Sequence, residues 1–185
     1  MQVIIFVAQA YPASTTKIMT CILAIENAAD INEIVNTGSD VEKRGSTCHF
    51  SRNEEMPLID MLYGMMMFSG NDAAKAIAEH IGGSESGFAE MMNKKAQRLG
   101  MKGTHFCDTT GLHDPDHYST VRDIAVLLKY ALKNDTFREI IESPRHSTGV
   151  TNIHPSGITY YSTMFKNLSD TSVTGGKILG GKTGY

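Results

Sequence analysis

"YPASTTKIMT", Tyr11 to Thr20, sets a serine three residues ahead of a lysine at the point where an apolar periodicity begins. Pro12 precedes Ser14, and Ile18, Met19, Ile22, Leu23 and Ile25 recur at helical spacing, so the stretch predicts a helix starting near Ser14 and buried along one side. Residues three apart on a helix share a face, which brings the Lys17 amine within reach of the Ser14 hydroxyl. A serine hydroxyl is a weak nucleophile until a neighbour takes its proton, and a lysine can do that only as the neutral amine. The lysine reference pKa of ~10.4 must then fall by several units, which burial and a second nearby cation can bring about. Taken alone, the same stretch also fits an ordinary solvated helix lysine.

The pattern downstream is helical as far as Pro144. A second helix opens at Pro57 and runs through "LIDMLYGMMMF", apolar on nearly all sides and therefore interior. "NDAAKAIAEHIGG" predicts a third helix closed by glycines. "SESGFAEMMNKKAQRLG" predicts a fourth, with Phe88, Met91, Met92, Ala96 and Leu99 inward and Gly100 as its stop. Thr120 and Asp123 form a capping box ahead of Ile124, Leu127, Leu128, Ala131 and Leu132, and a short helix spans Phe137 to Ile141. After Pro144, β-branched and aromatic residues in "STGVTNI", "GITYYST" and "KILGGKTGY" predict strands. The opening "MQVIIFVAQA" also reads as a strand; its Ala8-Gln9-Ala10 mimics a signal-peptidase site but lacks a basic region ahead of it. A helix-rich body followed by strands, without alternating βαβ units, predicts a single α+β domain over 1–185.

Composition removes several function classes. The 17 basic and 20 acidic residues give a net charge of −3, and the cations are scattered singly, so nucleic acid is not an expected partner. Cys21, Cys48 and Cys107 lie at unrelated spacings without Cys-x-x-Cys, which writes neither a disulfide framework nor a zinc ribbon. "HFCDTTGLHDPDH" gathers His105, Cys107, Asp108, His113, Asp114, Asp116 and His117, but Pro115 blocks the one helical pairing of His113 with His117. It reads as a polar loop leading to the Thr120 cap, and neither a metal nor a cofactor is expected. No stretch approaches the ~20 apolar residues of a membrane span, so a soluble chain is expected.

Two further polar groups carry chemical potential. Ser69-Gly70-Asn71 lies between the all-round apolar helix and the next one, where its side chains can point into a cleft or simply cap a turn. Lys182-Thr183-Gly184 ends the last predicted strand, where Lys182 can hold a carboxylate, supply the field that keeps Lys17 neutral, or merely protect a sheet edge. Ser-x-x-Lys at a helix start, Ser-x-Asn between helices and Lys-Thr-Gly late in the chain, in that order, form a set shared by penicillin-binding proteins and class A β-lactamases.

"YPASTTKIMT", "LYGMMMFSGNDAAKAIAEHIGGSESGFAEMMNKKAQRLGMKGTHF", "GLHDPDHYSTVRDIA" and "ILGGKTGY" together resemble the serine D-Ala-D-Ala carboxypeptidases, low-molecular-mass penicillin-binding proteins. The resemblance covers Pro12 to Tyr185. It implies a penicillin-binding, serine β-lactamase-like transpeptidase fold, a helical lobe on an antiparallel sheet that is incomplete here. By the same resemblance Ser14 is the acylated nucleophile and Lys17 its general base, while Ser69 and Asn71 relay protons and bind peptide. Lys182 and Thr183 grip the terminal carboxylate, Gly184 lets the substrate backbone approach, and the N–H groups of Ser14 and Tyr185 form the oxyanion hole. The implied substrate is the peptidoglycan pentapeptide, with β-lactams as covalent inhibitors and a location outside the cytoplasmic membrane. A β-lactamase is the lesser alternative, because no Glu-x-x-x-Asn spacing is present and Gly70 stands where those enzymes carry aspartate. The other alternative is a truncated, catalytically silent member that folds or self-associates through its helical lobe and unpaired strands.

Overall fold

A computed structural model describes residues 6–166, 168 and 170–185. Its chain order is β1 (Gln9–Ala10), a 3-10 turn (Ala13–Thr16), α1 (Lys17–Asn27), β2 (Ile34–Asn36), β3 (Glu55–Pro57), α2 (Leu58–Met67), α3 (Asn71–Gly82) and α4 (Glu85–Leu99). Then follow β4 (Ser119–Thr120), α5 (Val121–Ala131), α6 (Asp135–Glu142), β5 (Arg145–Ser147), β6 (Thr159–Tyr161), α7 (Thr163–Lys166), β7 (Ser172–Val173) and β8 (Gly176–Lys177).

The helical lobe follows its sequence pattern. In α2, Leu58, Met61, Leu62 and Met65 are fully buried, and each side chain of that size contributes roughly 1.5–3 kcal/mol by leaving water. Helices α1, α2 and α3 pack on one another, with α4 against α3 and α6 against α2. Ser84 caps α4 by accepting the Gly87 N–H, and Gly100 ends it in the left-handed conformation. At α5 only half of the expected capping box forms. Thr120 accepts the Asp123 N–H, but the Asp123 carboxylate turns away to accept from Gly103 N–H and the Thr104 hydroxyl, each at 2.8 Å.

The strand expectations need correction. Met1–Ile5 lie outside the described residues, Phe6 and Val7 are helical, and only Gln9–Ala10 of the opening segment pairs, antiparallel with β4. Of "STGVTNI" only Ser147 is in a ladder, β5 with β6. Of "KILGGKTGY" only Lys177 is, so Lys182-Thr183-Gly184 does not sit at the end of a strand. The physical reason is local packing: the backbone of Gly180 runs against the Ile141 carbonyl, where a Cβ would stand 2.2 Å away, and Gly181 runs against the Met164 sulfur. The described residues form four separate two-stranded antiparallel pairs, so the fold is α+β with a fragmentary sheet.

Two buried carboxylates hold the β5–β6 hairpin to the helical lobe. Glu54, fully buried, accepts from Ser51 N–H at 3.0 Å, Thr151 Oγ1 at 2.8 Å and His154 Nδ1 at 2.5 Å. Asp60 on α2 lies 2.6 Å from His146 Nε2, whose ring stacks on Tyr63 at 3.7 Å. This anchoring sets where the chain leaves β6 toward Thr163.

The α2–α3 junction is as tightly determined. Asp72, in the first turn of α3, accepts from Cys48 N–H (2.8 Å) and Phe50 N–H (3.1 Å), which draws the Cys48 thiol onto Gly70. A Cβ at Gly70 would stand 2.3 Å from Cys48 Sγ, so the residue between Ser69 and Asn71 has no room for a side chain. Gly70→Ala is therefore expected to destabilise the protein by about 1–3 kcal/mol. Adding Cys48→Ala should restore part of that loss, a coupling of about 1 kcal/mol or more by double-mutant cycle in urea unfolding, whereas strictly additive effects would contradict the packing account.

Candidate active site

Ser14 sits in the 3-10 turn that leads into α1, half-buried, with Thr15 holding the turn by donating its N–H and hydroxyl to the Pro12 carbonyl. One turn on, Lys17 is 0 % exposed, and its Nζ lies 3.2 Å from Ser14 Oγ and donates to the Thr110 carbonyl at 2.7 Å. Burial is the main force pushing its amine down to about 7, with the nearby Lys182 cation adding to it against the opposing pull of Asp108, Cys48 and Asp72. The sequence therefore builds a lysine that is substantially neutral near pH 7, within hydrogen-bond reach of a hydroxyl. One N–H spent on Thr110 fixes the amine's orientation and leaves the lone pair free to face Ser14.

Ser69 follows α2 with φ of +62°, an unusual conformation for a non-glycine residue that turns its side chain toward the cleft. Its hydroxyl accepts from Lys182 Nζ at 3.0 Å, and Lys182 also donates to the Thr183 carbonyl at 2.9 Å. Burial lowers Lys182 to about 8. Around neutrality Lys182 is thus mostly charged while Lys17 is about half neutral. Asn71, buried at the start of α3, donates Nδ2 to the Arg44 carbonyl at 2.8 Å and its backbone N–H to the Ser46 carbonyl at 2.7 Å. Gly184 packs on the 3-10 turn, its Cβ position 3.0 Å from the Pro12 carbonyl oxygen, and Tyr185 is fully exposed. Ser14, Ser69, Asn71, Thr183 and Tyr185 all line one cleft of about 210 Å³. The three polar motifs, far apart in sequence, are therefore brought together, with the Lys17 and Lys182 amines hydrogen-bonded to two of its serines, Ser14 and Ser69.

Other walls of the cleft were not read from sequence. One is the 44–46 loop, whose Gly45 backbone lies so close to the Asn71 amide that a Cβ would stand 2.7 Å from Nδ2. Another is the 108–112 turn: Asp108 Oδ1 accepts from Thr110 N–H, the Thr110 hydroxyl and Gly111 N–H, which aims the Thr110 carbonyl at Lys17. At Gly111, with φ of +82°, a Cβ would collide with the Ala13 carbonyl oxygen at 1.9 Å, so this turn can nest against the serine turn only as glycine. His117, buried and held neutral by its burial, accepts Cys107 N–H at Nδ1 (3.2 Å), which leaves the proton on Nε2 to donate to Thr16 Oγ1 (2.8 Å). His105 Nδ1 lies 2.7 Å from the Asp116 carbonyl, and Asp114 accepts Asp116 N–H. The polar run from His105 to His117, expected as a plain loop leading to the Thr120 cap, thus supports the Ser14–Lys17 turn; the signal that could have found this is the Asp-x-Thr-Gly of an Asx turn at Asp108.

The family model for D-alanyl-D-alanine carboxypeptidases matches residues 7–185. Among curated relatives, the chain is 44% identical over 131 residues to the D-alanyl-D-alanine carboxypeptidase DacF of Bacillus subtilis, covering 68% of this chain and 33% of that protein. It is 31% identical over 182 residues to DacD of Escherichia coli, covering 91% of this chain and 47% of that one. The chain thus spans a third to a half of these relatives' length. Among solved structures it superposes on the Streptomyces K15 DD-transpeptidase with a TM-score of 0.81 at 26% identity, over 96% of this chain and 72% of that one. It also superposes on penicillin binding protein 6B of Escherichia coli with a TM-score of 0.74 at 28% identity, over 84% and 51%. The chain belongs to the D-alanyl-D-alanine carboxypeptidase family and has the penicillin-binding-protein fold.

Proposed function

We propose that this chain is a serine acyl-transfer peptidase that removes the terminal D-alanine from peptidoglycan stem peptides and is acylated by β-lactams. The observation that carries the reading is the 3.2 Å approach of the buried, pKa-lowered Lys17 amine to Ser14 Oγ. Lys17 takes the hydroxyl proton as Ser14 Oγ bonds to the penultimate D-alanine carbonyl carbon. The oxyanion that forms is held by the N–H groups of Ser14 and Tyr185. As the C–N bond breaks, the proton returns to the amine of the departing D-alanine by way of Lys17 and Ser69. Water then adds to the acyl-enzyme carbonyl carbon, giving a proton to Lys17; the C–Oγ bond breaks, Lys17 hands the proton back to Ser14 Oγ, and the shortened peptide leaves. Lys182, with Thr183 beside it, supplies the cation for the terminal carboxylate, Asn71 positions the peptide, and Gly184 leaves space for its backbone. No helix among the described residues is long and apolar enough to cross a membrane. The substrate's chemistry assigns the activity to the outer side of the cytoplasmic membrane.

A second reading has its own observation: residues 178–185 belong to no strand ladder, and the Tyr185 side chain is fully exposed. A site whose Lys-Thr-Gly segment lacks strand neighbours fits a catalytically silent chain that self-associates through unpaired edges. Intact-protein mass spectrometry after incubation with benzylpenicillin separates the two. The acyl-transfer reading expects a single covalent adduct, absent from Ser14→Ala, while folded protein without any adduct would favour the silent chain.

A further inference from the structure

The segment that carries Lys182 is held in place by packing. Among the described residues, Leu179 to Tyr185 make no backbone–backbone hydrogen bond and belong to no ladder. The backbone rests instead at three glycines: Gly180 on the Ile141 carbonyl, Gly181 on the Met164 side chain and Gly184 on the serine turn. The contact next to Lys182 is the one made through sulfur. A Cβ at Gly181 would overlap Met164 Sδ and stand 2.9 Å from its Cε, so the thioether lies directly on bare backbone. Met164 is carried there by α7, which Ser162 N–H anchors to the Pro144 carbonyl at 3.0 Å and Lys166 N–H closes on the Ser162 carbonyl at 3.1 Å.

Met164 also stands apart among the sulfur-bearing side chains. Among the described residues every methionine is buried except Met91 and Met164, which are half-buried. Cys21 and Cys48 are buried, and burial, with Asp114 next, pushes the partly exposed Cys107 thiol up to about 11, away from the reactive thiolate form. Met91 lies toward the far end of α1, in a groove with Leu23 and Glu26 that shares no lining residue with the Ser14 cleft. An oxidant in solution therefore meets two thioethers first, and of these Met164 props a residue of the site.

We propose that Met164 is an oxidation site that switches the Ser14 cleft off, and back on once it is reduced. This rests on the acyl-transfer reading, in which Lys182 takes the terminal carboxylate. The thioether lone pair attacks one oxygen of a hydroperoxide such as hydrogen peroxide and the O–O bond breaks. The departing hydroxide takes the proton of the transferred oxygen and leaves as water; sulfur is oxidised by two electrons and the peroxide is reduced. The sulfoxide is polar where the thioether was apolar. Against Gly181 there is no room for the added oxygen, and its polarity draws the side chain toward water. Gly181 then loses its support, and the Lys182 amine leaves its place 3.0 Å from Ser69 Oγ. A methionine sulfoxide reductase, with a dithiol as reductant, returns the oxygen to water and Met164 to the thioether.

Treating the intact chain with hydrogen peroxide and mapping its peptides by mass spectrometry tests the first step. Met164 and Met91 are expected to oxidise about tenfold or more faster than the buried Met61. In lysine-labelled protein the Lys182 NMR signal should move on oxidation and titrate above about 8, toward the ordinary lysine range, as its burial is lost. Acylation of Ser14 by benzylpenicillin should slow roughly 10- to 100-fold, and a methionine sulfoxide reductase with dithiothreitol should reverse both changes. Peroxide should bring neither change to Met164→Leu, although its Met91 is oxidised, whereas Met164→Gln should show both without peroxide. Oxidation of Met164 no faster than of Met61, a Lys182 signal unmoved when Met164 is oxidised, or the same losses in Met164→Leu would each overturn the switch. The peptide map and the Lys182 signal need no acylation, so a chain that forms no adduct before peroxide counts against the acyl-transfer reading, while the Met164 contact is still decided by those two measurements.

Discussion

The burial of one amine organises this molecule. Lys17 is placed at the first turn of α1 with its Nζ out of water, satisfied by the Thr110 carbonyl and facing Ser14. Moving its pKa from 10.5 to about 7 corresponds to roughly 5 kcal/mol of preference for the neutral form. The folded pKa lies below the unfolded one, so the unfolded chain binds more protons between about pH 7 and 10.5. The penalty is present in full below pH 7 and is relieved as pH rises through that window. A fold that tolerates this at neutral pH must draw its stability elsewhere, and the nearly dry α1–α2–α3 core is where it does so.

Much of the remaining structure serves that amine. The Asp108 turn aims the Thr110 carbonyl, and His117 braces the Thr16 hydroxyl next to it. Lys182 faces Ser69 and contributes its charge to holding Lys17 neutral. Ser69 and Ala13 both adopt positive φ without being glycine, one on each side of the cleft. Strain of this kind, about 1–3 kcal/mol per residue, persists only where surrounding packing over-determines it, as the Cys48–Gly70 contact and the Gly111–Ala13 approach do.

The helical lobe was legible because its signals are local. The 3.6-residue periodicity of α1, the all-round apolar α2, the Gly100 stop and the Thr120 cap each depend on a few adjacent residues. The three polar motifs were legible only as an ordered set, since Ser-x-x-Lys, Ser-x-Asn and Lys-Thr-Gly are each common. What sequence could not show was long-range: Thr110 meets Lys17 across 93 positions, and Arg44 meets Asn71 across 27. The strands of the C-terminal third were over-read for a related reason. Residues such as Val150, Ile153, Ile178 and Leu179 have strand propensity, but a strand exists only with a partner, and propensity does not supply one. There the chain makes other commitments, Thr151 donating its N–H to the His154 carbonyl and its hydroxyl to Glu54, and Gly180 packing against the Ile141 carbonyl.

The most direct test of the account is the titration of Lys17 itself. Followed by NMR in lysine-labelled protein and assigned with Lys17→Arg, the Lys17 signal should titrate near pH 7 and move upward when Lys182→Gln removes the neighbouring cation. A Lys17 that titrates near 10.5, unmoved by Lys182→Gln, would mean that the amine is a charged structural lysine, and the acid–base account of Ser14 would fail.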